Sequence, residues 1–420
     1  MSKTSVFVLL LFLSASPSLG QSPHETVLYA FPPFSANGDS PQGAMTADGA
    51  GNLYGTTEFG GSFNSDCVAS GCGTVFELSP PSQQGEPWTE TVIYGFQGGA
   101  DGDAPECTPV RDKDGNLYGT SIYGFYPDGG VIVWQLSPPT ESGRDWAFTT
   151  LYVMPDVLLG GNFNAGNLTM DRTGNLYGTT TGGGGCVPFG CGAVYEVLRP
   201  QQSGGTWAGN VIYNFQGGSG GQNFSTTLAI DNSGALYGGA STGSSEFVYQ
   251  LVPPSNSGGS WTEKVIFNLG EIASFNGLAF DGAGNLYGAS VDGPEDELCI
   301  QNRQGCGYVF QLSPQPGGDW TETILHNFLG HADGWYPTAI PAPDALGDLY
   351  GTTYFGWKRN LGTVYRLTKG PGDAWTERLV SLAGDLPIYP SGSLIFGPDK
   401  AVIGTGTAFS GGGVFSVSIP

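Results

Sequence analysis

The chain has 420 residues, enough for one sizeable core or several small domains. Its 37 acidic and 14 basic side chains leave a formal charge of −23, which repels phosphate backbones and sets nucleic acid aside as a partner. The 71 glycines and 29 prolines would signal disorder if scattered, but they recur at fixed places between β-rich runs and so read as turns.

At the start, Lys3, an apolar run over 6–13 and small residues up to Gly20 follow the order of a secretory signal peptide cut after Gly20. The run is too short to span about 30 Å of hydrocarbon, and no later run is long enough. A secreted protein, extracellular or periplasmic, is expected, with no membrane insertion once the signal is removed.

A strand over 25–31 comes next and has no partner nearby. Then a motif begins. Gly-Asn-Leu-Tyr-Gly stands at 51–55, 115–119, 174–178 and 284–288, with variants at 234–238 and 347–351 and a degenerate copy at 400–404. Each copy follows an Asp-x-x-Gly turn or a relative of it and opens a strand B. A strand C with alternating character follows, as at 74–78, 193–197, 308–312 and 363–367. Strand D comes after Trp88, Trp146, Trp207, Trp261, Trp320 and Trp375. A short apolar strand A precedes each turn, as at 168–170. No helix of period 3.6 is visible in the mature chain.

Four antiparallel strands per repeat, at intervals of roughly 40–60 residues, predict an all-β, seven-bladed β-propeller over residues 21–420, following the signal at 1–20. The two ends decide for a ring over a solenoid. The last copy stops after strand C, at 414–417, while the unpartnered strand at 25–31 matches strand D of blade one, 90–96, almost residue for residue. An N-terminal D strand completing the C-terminal blade closes the ring and removes exposed sheet edges. Alternation within it places Val27 and Tyr29 on one face and Leu28 on the other.

The repeated tyrosines and tryptophans are expected to fill the space between blades rather than to bind ligand. The Asp-x-x-Gly turns at Asp112, Asp171, Asp231 and Asp281 read as side-chain-stabilised turns. Even the best calcium-like copy, 112–116, lacks the oxygens and distal Glu of a true calcium loop.

The pattern D-x-x-G-N-L-Y-G-T-T, G-T-V-F-E-L-S-P, W-T-E-x-V-I-Y-x-F resembles the GloVer-type tandem repeat proteins, exported bacterial proteins with varied C-terminal surface anchors. The resemblance spans essentially the whole mature chain. It implies export and a repeat-built β fold, and it supplies no catalytic residue. Anchored members end in a hydrophobic tail and basic terminus that this chain, ending at Pro420, does not share.

Six of the seven cysteines form close pairs between strands B and C: Cys67 with Cys72, Cys186 with Cys191, and Cys299 with Cys306. In an exported protein these read as disulfides pinning loops, each contributing roughly 2 kcal/mol by chain entropy. Zinc would need about four ligands at one point, and the pairs sit in non-adjacent blades with no histidine near. Cys107 is left as a free thiol or an intermolecular partner. No metal or cofactor is expected.

Function is expected on the face where the B–C and D–A loops emerge, since these vary in length while the A–B turns are tight and repetitive. Trp335, Tyr336 and Asp333 fall in the D–A loop before blade six, and Phe355 and Trp357 at its B–C loop. Flat aromatics beside charges suit a sugar ring or an aromatic peptide side chain. Tyr123 and Tyr126 form a weaker cluster in blade two. The first expectation is a non-catalytic module binding carbohydrate or protein. The alternative is a polysaccharide-active hydrolase or lyase, with Asp101, Asp103 and Asp333 among the available acids. Carboxylates converging at the central channel would favour the enzyme; small and hydroxyl side chains there would favour the binder.

Overall fold

The computed structural model describes residues 24–419, apart from 68–69, 84, 124–129, 142, 156–165, 183–189, 203, 218–221, 224–226, 244, 257, 271–274, 276, 294–304, 331–332, 357–359, 372–373, 382–388, 398–400 and 409–410. The segment 1–20, read as a signal peptide, therefore lies outside it. Seven antiparallel sheets follow one another, each with its strands in the order A-B-C-D. Blade three is typical: Thr169–Met170, Leu176–Thr180, Ala193–Leu198 and Ala208–Asn214. No helix among the described residues is long and apolar enough to cross a membrane.

The repeat motif explains each blade's local geometry. In the A–B turn of blade two, Asp112 Oδ1 accepts from the backbone N–H of Asp114 and Asn116, both at 2.9 Å. Its Oδ2 accepts from the Asn116 amide at 2.9 Å and the Tyr118 hydroxyl at 3.0 Å. The carboxylate is thus consumed by the turn, as the sequence indicated, and Asp171, Asp231 and Asp281 repeat the arrangement. The last glycine of the motif is required by close packing: a Cβ on Gly119 would lie 2.3 Å from the ring of Trp134 on strand C.

Between blades, the B-strand tyrosine meets the D-strand tryptophan of the following blade. Ring centroids are 6.0 Å apart for Tyr54 and Trp146, 5.9 Å for Tyr118 and Trp207, and 6.1 Å for Tyr177 and Trp261. Strands B and C carry the most deeply buried side chains, including Phe76, Trp134, Tyr195, Tyr249 and Phe415. Each such side chain contributes about 1.5–3 kcal/mol by burial, so the core lies in the seven inter-blade layers.

Ring closure follows the expected route. His24–Phe31 pairs antiparallel with Gly412–Ser418, strand C of blade seven. One detail differs. A bulge at Leu28 breaks the alternation, since Val27 pairs with Phe415 and Tyr29 with Val414. Leu28 and Tyr29 both pack on the core of that interface, so the expectation that Leu28 faces away from Tyr29 is corrected. The same bulge recurs in the D strands of blades one to five.

Cys67 and Cys72 are disulfide-bonded, with Cα atoms 4.9 Å apart. Cys191 and Cys306 are also in disulfides; the partners expected for them, Cys186 and Cys299, lie outside the described residues. Cys107 is a free thiol, 1 % exposed, receiving the Thr120 N–H at 3.2 Å. That burial removes the intermolecular option for it.

Candidate active site at the channel mouth

The segments leading into each strand A meet around the central axis. Thr56 Oγ1 donates to Cys107 O at 2.7 Å, Thr405 Oγ1 to Gly43 O at 2.7 Å, and Ser391 Oγ to Pro41 O at 3.2 Å. Asn167 bridges two junctions, accepting from Thr108 N–H at 2.7 Å and donating to Thr227 Oγ1 at 2.8 Å. These contacts are tight: a Cβ on Gly43 would lie 2.6 Å from the Cys107 carbonyl oxygen. Threonines and asparagines therefore stitch the inner wall.

Above this wall, on the B–C and D–A face, stand two glutamates from neighbouring blades. Glu58 follows strand B of blade one, Leu53–Thr57. Glu106 precedes strand A of blade two, Val110–Arg111. Their carboxyl groups lie close enough to perturb each other, and Gln42 donates its amide to Glu58. Burial raises the Glu58 pKa, Asp39 adds to the rise, and the contacts with Gln42 and Glu106 oppose it. Burial and then the neighbouring Glu58 carboxyl push Glu106 up to about 7. Glu106 is open to solvent at its surface yet walled by protein, so channel water tempers the burial effect. The upward direction stands because a second carboxyl lies beside it. Such a pair holds one proton between two acids near neutral pH.

The aromatic side chains belong to the same mouth. Trp335 stacks on Phe355 at 4.4 Å and 22°, and Tyr354 stacks on Tyr389 at 5.0 Å and 16°. Tyr336 meets Tyr354 and Phe355 edge-on at 6.3 and 6.2 Å. All five are half-buried. The repeat relates the two groups: Tyr354 follows Leu-Tyr-Gly-Thr-Thr in blade six as Glu58 does in blade one, and Tyr389 precedes Pro390 as Ala104 precedes Pro105. Tyr336, before Pro337, holds φ at 63°, matching Ser40 at 58° and Ala104 at 45°. This left-handed conformation costs a bulky side chain about 1–2 kcal/mol. Corresponding segments of the repeat thus carry aromatic side chains at blades six and seven and acidic ones at blades one and two.

Of the sequence-nominated residues, Trp335, Tyr336 and Phe355 come together. Asp333 turns away from them, receiving the Leu329 N–H at 2.6 Å and facing His326. Trp357 and Tyr126 lie outside the described residues, and Tyr123 is described only as the backbone end of Leu117–Tyr123. Asp101 is tied to the Tyr94 hydroxyl at 2.7 Å and to Gln97 N–H at 3.0 Å, and Asp103 is half-buried beside it with a raised pKa from burial and that charge. The sequence reading missed Gln42, Glu58, Glu106, Tyr354 and Tyr389. Their signal was variation at otherwise repeated positions: the residue after Leu-Tyr-Gly-Thr-Thr, and the residues flanking the proline of the D–A loop.

The sequence family described as the Gloeobacter/Verrucomicrobia repeat matches residues 16–252. No curated protein matches the sequence. Among solved structures, a protein assigned as a 6-phosphogluconolactonase from Bacteroides uniformis is similar at 14% identity and TM-score 0.50, over 84% of this chain and 89% of that one. A glucose dehydrogenase is similar at 15% identity and TM-score 0.45, over 94% and 100%. The soluble aldose sugar dehydrogenase of Escherichia coli is similar at 13% identity and TM-score 0.43, over 94% and 99%. At such identities the likeness shows the fold alone. The expectation of a non-catalytic binding module is nevertheless corrected. Carboxyls converge at the channel mouth, the feature that distinguishes the enzymatic alternative.

Proposed function

The chain belongs to the Gloeobacter/Verrucomicrobia repeat family, whose name specifies a repeat and no reaction, and from the Glu58–Glu106 pair we propose that it is an exported hydrolase acting on neutral carbohydrate. The aromatic arc of Trp335, Tyr336, Phe355, Tyr354 and Tyr389 is the sugar platform. A charge of −23 disfavours polyanionic substrates. The disulfides and the signal-like N-terminus support export.

The dyad's chemistry follows from its shared proton. Glu58, as carboxylate, takes a proton from a water whose oxygen attacks the substrate. Glu106, as acid, gives its proton to the departing oxygen. Proton transfer between the neighbouring carboxyls then returns the proton from Glu58 to Glu106 and restores the starting state. Paired glycosidase acids stand roughly 5–9.5 Å apart, on opposite faces of the sugar. Carboxyls that perturb each other directly are neighbours on one side of a substrate, which suits addition to a planar carbonyl. The favoured substrates are therefore sugar esters and lactones.

The test is hydrolysis of acetylated neutral glycans and aldonolactones followed in a pH-stat. Glu58→Gln and Glu106→Gln should each reduce kcat by about 100-fold or more. A wild-type protein inert toward esters, lactones and glycosides alike, or a fully active Glu106→Gln, would overturn the reading.

A further inference from the structure

A second cluster stands at the outer edge between blades five and six. Its setting is a position that the repeat fills in every blade. The D-strand residue opposite the C-strand valine is Tyr29, Tyr94, Tyr152 or Tyr213 in four blades. In blade five it is His326, on Trp320–Asn327. The next blade answers from its own D strand. Tyr213 donates to Glu263 at 2.7 Å, and Tyr29 donates to Glu90 at 3.3 Å. The D–A loop adds a third group. Asn37 donates to Glu90 at 2.6 Å, and Asp101 accepts from Tyr94 at 2.7 Å where blade two offers Phe148 in place of a glutamate.

Between blades five and six the three positions hold His326, Asp333 and Glu377. At these three positions no tyrosine hydroxyl or asparagine amide separates the two acids. His326 Nε2 lies 3.4 Å from Asp333 Oδ2 and 3.3 Å from Glu377 Oε1, yet it is angled to hydrogen-bond neither and is buried without a partner. Glu90, Glu263 and Glu322 also leave Oε1 unbonded, so that feature of Glu377 is common to the repeat. The histidine nitrogen is the distinguishing observation. The three ligand atoms lie within 4.8 Å of one another, and among the described residues this is the one group of three or more such side chains able to hold a metal. Phe328 packs edge-on to the imidazole at 4.8 Å and fixes its plane. Leu329 N–H orients Asp333 at 2.6 Å.

We propose that His326, Asp333 and Glu377 bind a divalent transition metal of the zinc class, clamping blade five to blade six. Ligand atoms about 2.0–2.1 Å from a tetrahedral metal stand about 3.4 Å apart, which is the spacing of the imidazole from both carboxylates. One imidazole nitrogen with two carboxylates suits zinc better than calcium, which takes six or more oxygens. A fourth position remains for water. The site is apart from the Glu58–Glu106 dyad and stands whether or not that dyad is catalytic.

The experiment uses the full mature chain after chelator treatment. Titration calorimetry with zinc sulfate should show one site per chain, and zinc should raise Tm. His326→Tyr installs the residue that four other blades carry and should fold normally while losing both the site and the zinc-dependent rise. Glu377→Gln should weaken binding by 10-fold or more. Equal zinc binding by the wild type and His326→Tyr, no binding by the wild type, or a Tm rise with calcium instead of zinc would each overturn the proposal.

Discussion

Tyr118 and Asp112 form one unit: the hydroxyl at the tip of strand B donates at 3.0 Å to the carboxylate that shapes the preceding turn, while the ring meets Trp207 of the next blade. One side chain therefore couples turn, strand and neighbouring blade. Tyr118→Phe should cost about 1–2 kcal/mol, because the almost fully buried Asp112 loses one donor of several. Trp207→Ala should cost about 3 kcal/mol or more through the cavity it leaves. Urea unfolding, with the slope unchanged, checks both; a neutral Tyr118→Phe would mean that Asp112 is satisfied without it.

Stability should peak on the acid side of neutrality. Burial opposes ionisation of Asp112, Asp171, Asp231 and Asp281, but their turn hydrogen bonds outweigh it and hold them below the usual carboxylate range. That contribution is present above the unfolded pKa and lost as pH falls through the folded one. Glu106, Glu246 and Glu377 shift the other way, to about 7, 8 and 10. The folded chain then holds more protons than the unfolded one above about pH 4.3, so stability falls as pH rises. Metal-free protein should show its highest Tm at about pH 4–5 and a decline toward pH 8. A flat profile across that range would contradict the raised glutamates.

The dyad should also set the pH dependence of catalysis. Activity needs one proton on the Glu58–Glu106 pair, so kcat should fall on the alkaline side near the value to which Glu106 is pushed, about 7. The residual activity of Glu106→Gln should lack that limb. Tyr389→Ala removes half of a stacked pair and should raise KM by roughly 5–20-fold with kcat little changed. A loss confined to kcat would place Tyr389 with the dyad instead of the platform.

Removal of residues 21–31 should leave the edge of Gly412–Ser418 unpaired, and the protein should then dimerise or aggregate in size-exclusion chromatography. The milder Phe31→Ala deletes a side chain that is 3 % exposed and 4.9 Å from the Phe76 ring, at a cost of about 3–5 kcal/mol. A stable monomer from the deletion would refute closure by this strand.

Cys107 should resist thiol reagents in the native state, since burial hides it and raises its pKa. One equivalent of the seven cysteines should react in denaturant without reductant. Native reactivity, or three or more free thiols, would contradict the disulfide assignment.

The blades were legible because their turn chemistry repeats: Asp, Gly and Tyr at constant spacing specify one hairpin, and Trp at constant spacing specifies its neighbour. The dyad was not, because Glu58 and Glu106 lie 48 residues apart in different blades and meet only where the ring brings the end of one strand B beside the next strand A. Asp101, Asp103 and Asp333 looked equally suitable as acids. Only coordinates reveal that Asp101 is held by Tyr94 and that Asp333 faces His326. The bulge at Leu28 was hidden for a related reason, since strand alternation carries no mark of an inserted residue.

Because His24–Phe31 pairs with Gly412–Ser418, the ring's first strand in chain order is paired with its last. A chain emerging from its N-terminus holds that strand idle while six blades form in order behind it. Until the seventh is complete the molecule is an open arc with two adhesive ends, and every copy passes through a stage in which it can join a neighbour's end as readily as its own. Yield on refolding should therefore depend on protein concentration more steeply than the stability of the finished ring would suggest.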